Sequence, residues 1–253
     1  MIRVDNISKS FLDREVLRNI SAEFANGMTN LIIGESGSGK TVLMKSIVGL
    51  HEVDEGDIFY GNIHFNKLNF KDKKTLRQKV GMLFQGAALF DFATVEENIM
   101  YPLDMFTNMT KGEKRDRANF CMNRVNMQNT NKLFPSELSG GMMKRVAIAR
   151  AIALNPRYLF CDEPNSGLDP KTSILIDNLI KEITEEYCIT TIVNTHDMNS
   201  VMGIGDKIIF IHQGQKWWEG SKDEILQSDN KELNDFVFAS KLAKRIRFGT
   251  EKG

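Results

Sequence analysis

Gly34-Glu35-Ser36-Gly37-Ser38-Gly39-Lys40-Thr41 is the stretch on which the fold turns. It fits GxxxxGK[ST], a pattern whose glycines let the backbone turn so that successive N–H groups aim at phosphate oxygens. Upstream, Thr29-Asn30-Leu31-Ile32-Ile33 is a short apolar run that reads as a buried strand. Downstream, TVLMKSIVGL (41–50) places Leu43, Ile47 and Leu50 at helical spacing on one face. Strand, glycine loop and helix in that order predict a phosphate-binding turn, a context that a bare Gly/Ser-rich surface turn would lack. Gly34, Ser36, Gly37, Ser38 and Gly39 bring backbone N–H groups to such a site. The helix start adds its positive dipole end, Lys40 a cation for the β and γ phosphates, and Thr41 a hydroxyl for Mg²⁺.

Outward from this stretch, MIRVDNISKSF (1–11) and VLRNISAEF (16–24) read as closely spaced strands, followed by a turn at Asn26-Gly27. From about Lys67 to Asn155 the strand signal fades. KKTLRQKVG (73–81), TVEENIMYPL (94–103), KGEKRDRANFCMNRVN (111–126) and GMMKRVAIARAIAL (141–154) read as helices, with turns at Gly112 and Pro135. Beyond Pro156 the alternation resumes with RYLFCDEP (157–164), a helix over 172–187, a β-rich run over 188–197 and a hairpin over 207–220 that turns at Gln213-Gly214. From Ser221 one helix and a basic tail are expected. Domain 1–220 is therefore read as an α/β unit with a helical subdomain at about 86–155, and 221–253 as an extension.

With 253 residues, 33 Lys+Arg against 33 Asp+Glu and 42% hydrophobic residues, the composition is that of an ordinary soluble globular chain. Zero net charge removes the electrostatic footprint of a general nucleic-acid binder, so no nucleic-acid partner is expected. Cys121, Cys161 and Cys188 are odd in number and widely spaced, which argues against disulfides and zinc and for a reducing compartment. No run approaches the roughly 18 apolar residues of a membrane span, and the opening residues lack the apolar centre of a secretory signal. A chain that neither crosses a membrane nor is exported is expected.

Two further segments carry chemistry. Tyr158-Leu159-Phe160-Cys161-Asp162-Glu163-Pro164 is an apolar strand that ends in adjacent carboxylates. Because side chains alternate along a strand, the two acids can take separate tasks: Asp162 on Mg²⁺ through water, Glu163 polarising an attacking water. Alone, the pair would be a solvated loop start; the glycine loop upstream gives it meaning. Leu138-Ser139-Gly140-Gly141-Met142 stands just before a helix, with Ser139 placed to cap it and the glycines leaving N–H groups uncovered. A chain with two such helix starts either binds two anions or shares one nucleotide between copies of itself.

In order and spacing, the glycine loop, LSGGM, CDEP, SGLDP (166–170) and NTHD (194–197) resemble the ATP-binding subunit of an ABC transporter, over nearly all of residues 1–220. The resemblance implies a P-loop NTPase of the ABC nucleotide-binding type: an α/β, RecA-like core with an antiparallel β subdomain and an inserted helical subdomain. It also implies a dimer, most simply a homodimer, that holds two ATP molecules with Mg²⁺ between the glycine loop of one copy and the LSGG segment of the other. By position, Phe11 would stack on adenine, and Gln85 would touch Mg²⁺ and the attacking water. Ser139, Gly140 and Gly141 would cap the γ-phosphate in trans, His196 would bond the γ-phosphate, and Asp169 would sit at the dimer seam. Val42 stands where a second hydroxyl residue often follows, which leaves backbone N–H groups to serve there. Met142 stands where many members have Gln, and Glu35 is tolerable in the loop only if it faces water. Lys40, Glu163 and His196 are all present, so a competent ATPase is expected.

The connecting segments narrow the likeness. FQGAALFDFATVEENIMYPL (84–103), LSGGMMKRVAIARAIAL (138–154) and NTHDMNSVMGIGDKIIF (194–210) resemble the ATPases of Mla and Mce type ABC systems, which move phospholipids between the inner and outer membranes. That implies a transmembrane permease, an Mce-type lipid-binding partner, a peripheral place on the cytoplasmic face of the inner membrane, and no direct contact of this chain with lipid. Phe90 and Phe92 are expected to line the groove that receives the permease. Rival readings keep the same engine with another cargo, or use the dimer as an ATP-gated clamp. In the tail, Lys241, Lys244, Arg245 and Arg247 stand beside Leu242, Ile246 and Phe248, and could lie on an anionic membrane or remain a solvated end. Trp217 and Trp218, adjacent in a strand, should face opposite sides.

Overall fold

The computed structural model describes residues 1–239. In chain order come β1 (Ile2–Phe11), β2 (Arg14–Phe24), β3 (Thr29–Ile33), α1 (Lys40–Val48), β4 (Glu55–Tyr60), β5 (Ile63–His64), α2 (Phe70–Arg77), β6 (Val80–Leu83), α3 (Val95–Phe106) and α4 (Lys111–Arg124). Then follow α5 (Gly140–Ile152), β7 (Tyr158–Asp162), α6 (Pro170–Glu186), β8 (Thr190–Thr195), α7 (Met198–Ile204), β9 (Lys207–His212), β10 (Gln215–Gly220), α8 (Lys222–Gln227) and α9 (Lys231–Val237).

The strands form two sheets. One is four-stranded and antiparallel, in the order β2-β1-β4-β5; the other is six-stranded, in the order β10-β9-β3-β8-β7-β6. In the second, β9, β3, β8, β7 and β6 run parallel and β10 closes one edge as an antiparallel hairpin with β9. Both faces of this sheet are covered, so its central strands β3 and β8 are buried along their whole length rather than on one face alone. Ile32, Phe160, Ile192, Ile209 and Ile211 face the antiparallel sheet and α1, packing with Ile2, Val4, Leu17, Ile20, Leu43 and Ile47. Leu31, Leu159, Cys161, Val193, Ile208 and Phe210 face the other way, onto Ile99 of α3, Cys121 of α4, Ala147 and Ile148 of α5, and Ile180 and Ile183 of α6. The parallel strands thus share one carboxyl-terminal edge, where ligands of open α/β sheets bind.

Four local expectations need correction. Val80-Gly81-Met82-Leu83, inside the stretch where strands were expected to fade, is β6, paired in register with Tyr158 to Cys161. Gly112 is no turn: it lies in α4, whose start is fixed at Thr110 by a reciprocal capping box with Glu113. Leu50 does not extend the apolar face of α1, because the helix stops at Gly49 (φ 80°) and Leu50 is exposed. After Ser221 there are two short helices, separated by a break at Ser228 and capped by Ser221 and Asn230.

Trp217 and Trp218 do take opposite sides. Trp218 packs against the core, whereas Trp217 is exposed and donates its indole N–H to Glu232 of α9 at 3.1 Å. Cys121 and Cys161 are buried and Cys188 is exposed, all as free thiols. No helix among the described residues is long and apolar enough to cross a membrane. The basic tail from Lys241 to Phe248 lies outside the described residues.

Candidate active site

The glycine loop leaves β3 at its carboxyl end and runs directly into α1. Gly34 has φ 149°, and a Cβ there would stand 2.2 Å from the Ile211 carbonyl and 2.8 Å from Ser38 Oγ; no other residue fits. Lys40 is buried, and its Nζ donates back across the loop to the carbonyls of Gly34 (2.8 Å) and Glu35 (2.9 Å). Desolvation lowers its pKa, opposed by the charges of Glu163, Asp162 and Glu35. Ser38 Oγ is buried with no hydrogen-bond partner among the described residues. A buried cation and an orphaned hydroxyl in one loop are groups that an anion would satisfy. Glu35 and Ser36 are exposed, and with Gly37 and Ser38 they line a cavity of about 470 Å³. Arg14, on the wall of the same cavity, pairs across the β1–β2 hairpin with Phe11. The Phe11 ring is 40% exposed, with Lys9 Nζ 5.5 Å from its centroid and His51 edge-on at 5.2 Å. Val42, in the first turn of α1, packs against the core between the sheets.

Thr41 lies in the first turn of α1 and donates its hydroxyl to Asp162 Oδ1 at 3.1 Å. Asp162 closes β7, is 5% exposed, and accepts a second bond from Asn194 Nδ2 at 3.0 Å. A hydroxyl from the start of α1 and a carboxylate from the end of β7, with the Gln85 amide following β6, are hard-oxygen donors. They suit Mg²⁺, which keeps several waters and takes its remaining ligands from nucleotide phosphates. No cluster of three or more His, Cys, Asp or Glu residues suited to a metal occurs among the described residues.

The two acids diverge for a reason other than strand alternation. β7 ends at Asp162, and Glu163 turns off the strand in the left-handed region (φ 47°), its N–H donating to the Asn194 carbonyl at 3.0 Å. Its carboxylate meets His196 Nδ1 at 3.0 Å, with the imidazole more than half exposed. Gln85 Nε2 donates to Ser166 Oγ at 3.3 Å, and Asp169 caps α6 through the N–H groups of Lys171 and Thr172. Hydrogen bonding from Thr172 lowers the Asp169 pKa. Ser139 caps α5 by accepting from the Met142 N–H at 3.3 Å. Among the described residues the Ser139-Gly140-Gly141 turn shares no hydrogen bond with the glycine loop. Its near neighbours are Leu168 and Thr172, in and after the Glu163 loop. The molecule therefore brings Lys40, Thr41, Asp162, Glu163 and His196 to one sheet edge and leaves Ser139 and Gly140 exposed to solvent.

Lys144 escaped the sequence reading. Its buried ammonium donates to the backbone carbonyl of Gln85 and, at 3.5 Å, to that of Glu163; burial pushes its pKa down. A signal was present: Lys144 stands three and four residues before Ala147 and Ile148, on the buried face of α5. Asn194, the first residue of the NTHD segment and without a role of its own in the sequence, holds Asp162 and Glu163 together. A separate cavity of about 650 Å³, lined by Lys79, Arg117, Arg157, Tyr158 and Ile189, opens at the amino ends of β6, β7 and β8 and holds none of these groups.

Phosphate oxygens would find backbone N–H groups and a buried ammonium here, a small divalent ion its oxygen donors, and a water its acceptor. This is the apparatus of a phosphate-loop nucleoside triphosphatase. The comparisons sharpen the class. The ABC transporter family profile matches residues 17–166. The methionine import ATP-binding protein MetN of Clostridioides difficile is 36% identical over 94% of this chain and 74% of its own length. The intermembrane phospholipid transport system ATP-binding protein MlaF of Haemophilus influenzae is 33% identical over 94% of this chain and 90% of its own. The dimeric post-hydrolysis structure of the ATP-binding cassette MJ0796 with ADP and Pi superposes with a TM-score of 0.80 at 33% identity, over 88% of this chain and 99% of that one.

The chain belongs to the ABC transporter family. It is the ATP-binding subunit of such a transporter, an ATPase that uses ATP with Mg²⁺, dimerises, and works on a transmembrane permease.

Proposed function

We propose that two copies of this chain close on two ATP molecules, the glycine loop of one facing the Ser139-Gly140-Gly141 turn of the other, and that Glu163 is the general base at each site. The contact of Glu163 with His196 at 3.0 Å, at the same sheet edge as the Thr41–Asp162 pair, carries this reading. Lys40 exchanges its two loop carbonyls for the β and γ phosphates, while the N–H groups of Gly34 to Val42 hold the remaining oxygens. Thr41, Asp162 and Gln85 would hold Mg²⁺, which neutralises charge on the β and γ oxygens. Phe11 stacks on adenine. The Glu163 carboxylate takes the proton of the attacking water as its oxygen bonds to the γ-phosphorus and the bond from that phosphorus to the β–γ bridging oxygen breaks, ADP leaving with that oxygen, and His196, held by Glu163, bonds the γ-phosphate. Ser139, Gly140 and Gly141 complete the pocket from the partner copy, and Asp169 stands at the seam. Residues 1–220 act as the nucleotide-binding unit, with 86–155 as its helical subdomain and 221–253 as an extension.

On this reading the permease moves phospholipid between inner and outer membranes with an Mce-type lipid-binding partner, and the chain sits on the cytoplasmic face of the inner membrane. The likeness of segments 84–103, 138–154 and 194–210 to that group supports it, as does the match to MlaF. Amino-acid import is the second reading, favoured by the 36% identity to MetN. Phe92 is 83% exposed with its ring 5.6 Å from Phe90, and this pair is where the permease docks. Affinity purification of the tagged chain from its own membranes tests the cargo. A permease with a lipid-binding partner and extractable phospholipid is the expected result; a solute receptor loaded with an amino acid overturns it. Phe92→Asp should uncouple transport while leaving ATP affinity intact, and a loss of nucleotide binding instead would refute the docking role.

A further inference from the structure

Behind the Glu163–His196 pair lies a buried polar node that none of the roles above uses. Asn165, two residues after Glu163, donates its side-chain amide to Asp177 Oδ1 of α6 at 2.8 Å and to Ser200 Oγ of α7 at 3.0 Å. The Ser200 hydroxyl also bonds the Asp177 carboxylate. Asp177 is 5% exposed and Ser200 fully buried. The node ties Asn165, in the β7–α6 loop that begins with Glu163, to α6 and to α7, the helix that directly follows the connection holding His196 and the helix cap Asp197. Glu163, Asn165, Asp177, Thr195, His196 and Asp197 line one cavity of about 550 Å³.

A carboxylate is a costly choice for this task. Burial pushes the Asp177 carboxyl up to about 6, with the Asp197 charge adding to the rise and the bonds from Ser200 and Asn165 opposing it. A neutral amide or an apolar side chain would fill the place without that cost. Asp177 also faces Cys161 on β7, whose buried thiol is pushed up partly by this carboxylate, and shares its cavity with Glu163 and His196.

We propose that Asp177 is a positioning residue for ATP hydrolysis, fixing the loop that carries Glu163 against the loop that carries His196 through Asn165 and Ser200. The proposal rests on the reading of Glu163 as the base. Ionised, Asp177 accepts from both partners at once; protonated, it gives up one acceptor position, and the two loops are held less firmly. Turnover then rises with pH through about 6, where this group ionises.

The test is steady-state ATP hydrolysis by the full chain, as purified and with its permease, from pH 5 to 8. Asp177→Leu should lower kcat about 10-fold or more with KM for ATP nearly unchanged, on the scale by which small misplacements of reacting groups slow enzymes. Its thermal midpoint should be no lower than that of the parent. Asp177→Asn, which like the protonated acid offers its two partners a single acceptor, should hold kcat at every pH near the value the parent shows at pH 5 and lose the inflection near pH 6. An Asp177→Leu variant with parental kcat, or one that loses activity only in step with its folded fraction, overturns the proposal. So does an inflection that persists in Asp177→Asn, which would belong to another group in the cavity. Glu163→Gln separates the two layers: if it hydrolyses ATP normally the base assignment falls, whereas if it is inactive and Asp177→Leu is normal only the positioning role falls.

Discussion

The two glycine-rich helix starts of this molecule are finished to very different degrees. At residues 34–41 the loop is packed into its own chain: Lys40 is buried and bonded to two loop carbonyls, Ser38 is buried, and Thr41 is tied to Asp162 at the end of β7. At residues 139–141 the turn has only its own cap, Ser139 to the Met142 N–H, with Ser139 and Gly140 exposed. Both offer the positive end of a helix. One has a lysine, a carboxylate and a hydroxyl gathered around it, and the other, among the described residues, has Leu168 and Thr172 beside it and no charged partner of its own. A half-site of this kind acquires meaning when a second copy presents its loaded loop.

Variants at the two ends should therefore fail in different ways. The largest effect belongs to the completed end: Glu163→Gln should keep ATP binding and cut hydrolysis by about 10²–10⁴-fold, the usual cost of losing a general base. Single-turnover assays check this, and near-normal turnover would break the assignment. Next, Lys40→Ala removes a buried charge-assisted donor, worth roughly 1.5–3 kcal/mol, so nucleotide should bind the isolated chain about 10–10²-fold more weakly by calorimetry. Ser139→Ala should leave that isolated-chain affinity untouched, cost about 1 kcal/mol of helix stability through the lost cap, and weaken ATP-driven dimerisation about tenfold. Equal loss of monomer affinity in the Lys40 and Ser139 variants would erase the distinction.

A smaller, pH-dependent effect sharpens the picture behind the completed end. Asp177 has its folded pKa raised from 3.8 to about 6, so its contribution to stability is complete below the unfolded value and is lost as pH rises through about 6. At pH 8 the ionised form costs on the order of 3 kcal/mol, so Asp177→Asn should raise the thermal midpoint at pH 8 and do little at pH 4. A gain of equal size at both values would place its origin elsewhere.

Much of the architecture could be read from the letters because local signals and tertiary demands agreed. TNLII forms β3 residue for residue, and the Gln213-Gly214 turn closes the β9–β10 hairpin as expected. β6 was hidden because its four residues begin only three positions after the end of α2 and contain Gly81. That glycine is set by tertiary packing: a Cβ there would stand 2.5 Å from the Ala151 carbonyl of α5. The chain-local parts of the site, the glycine loop and the Asp162-Glu163 strand end, were visible because each is a short motif with a strand or helix beside it. Lys144, Asn194 and the Asn165–Asp177–Ser200 node were not, since each acts through partners far away in sequence that only the folded sheet edge brings close. The left-handed turn at Glu163 was equally invisible, because an acidic residue gives no sequence cue for positive φ.

The composite site is tested most directly by the oligomeric state of Glu163→Gln with ATP and Mg²⁺, measured by sedimentation or light scattering alone and with the permease. A dimer that forms with ATP, dissolves with ADP and is weakened by adding Ser139→Ala is the predicted result. A strict monomer under every condition would contradict the account.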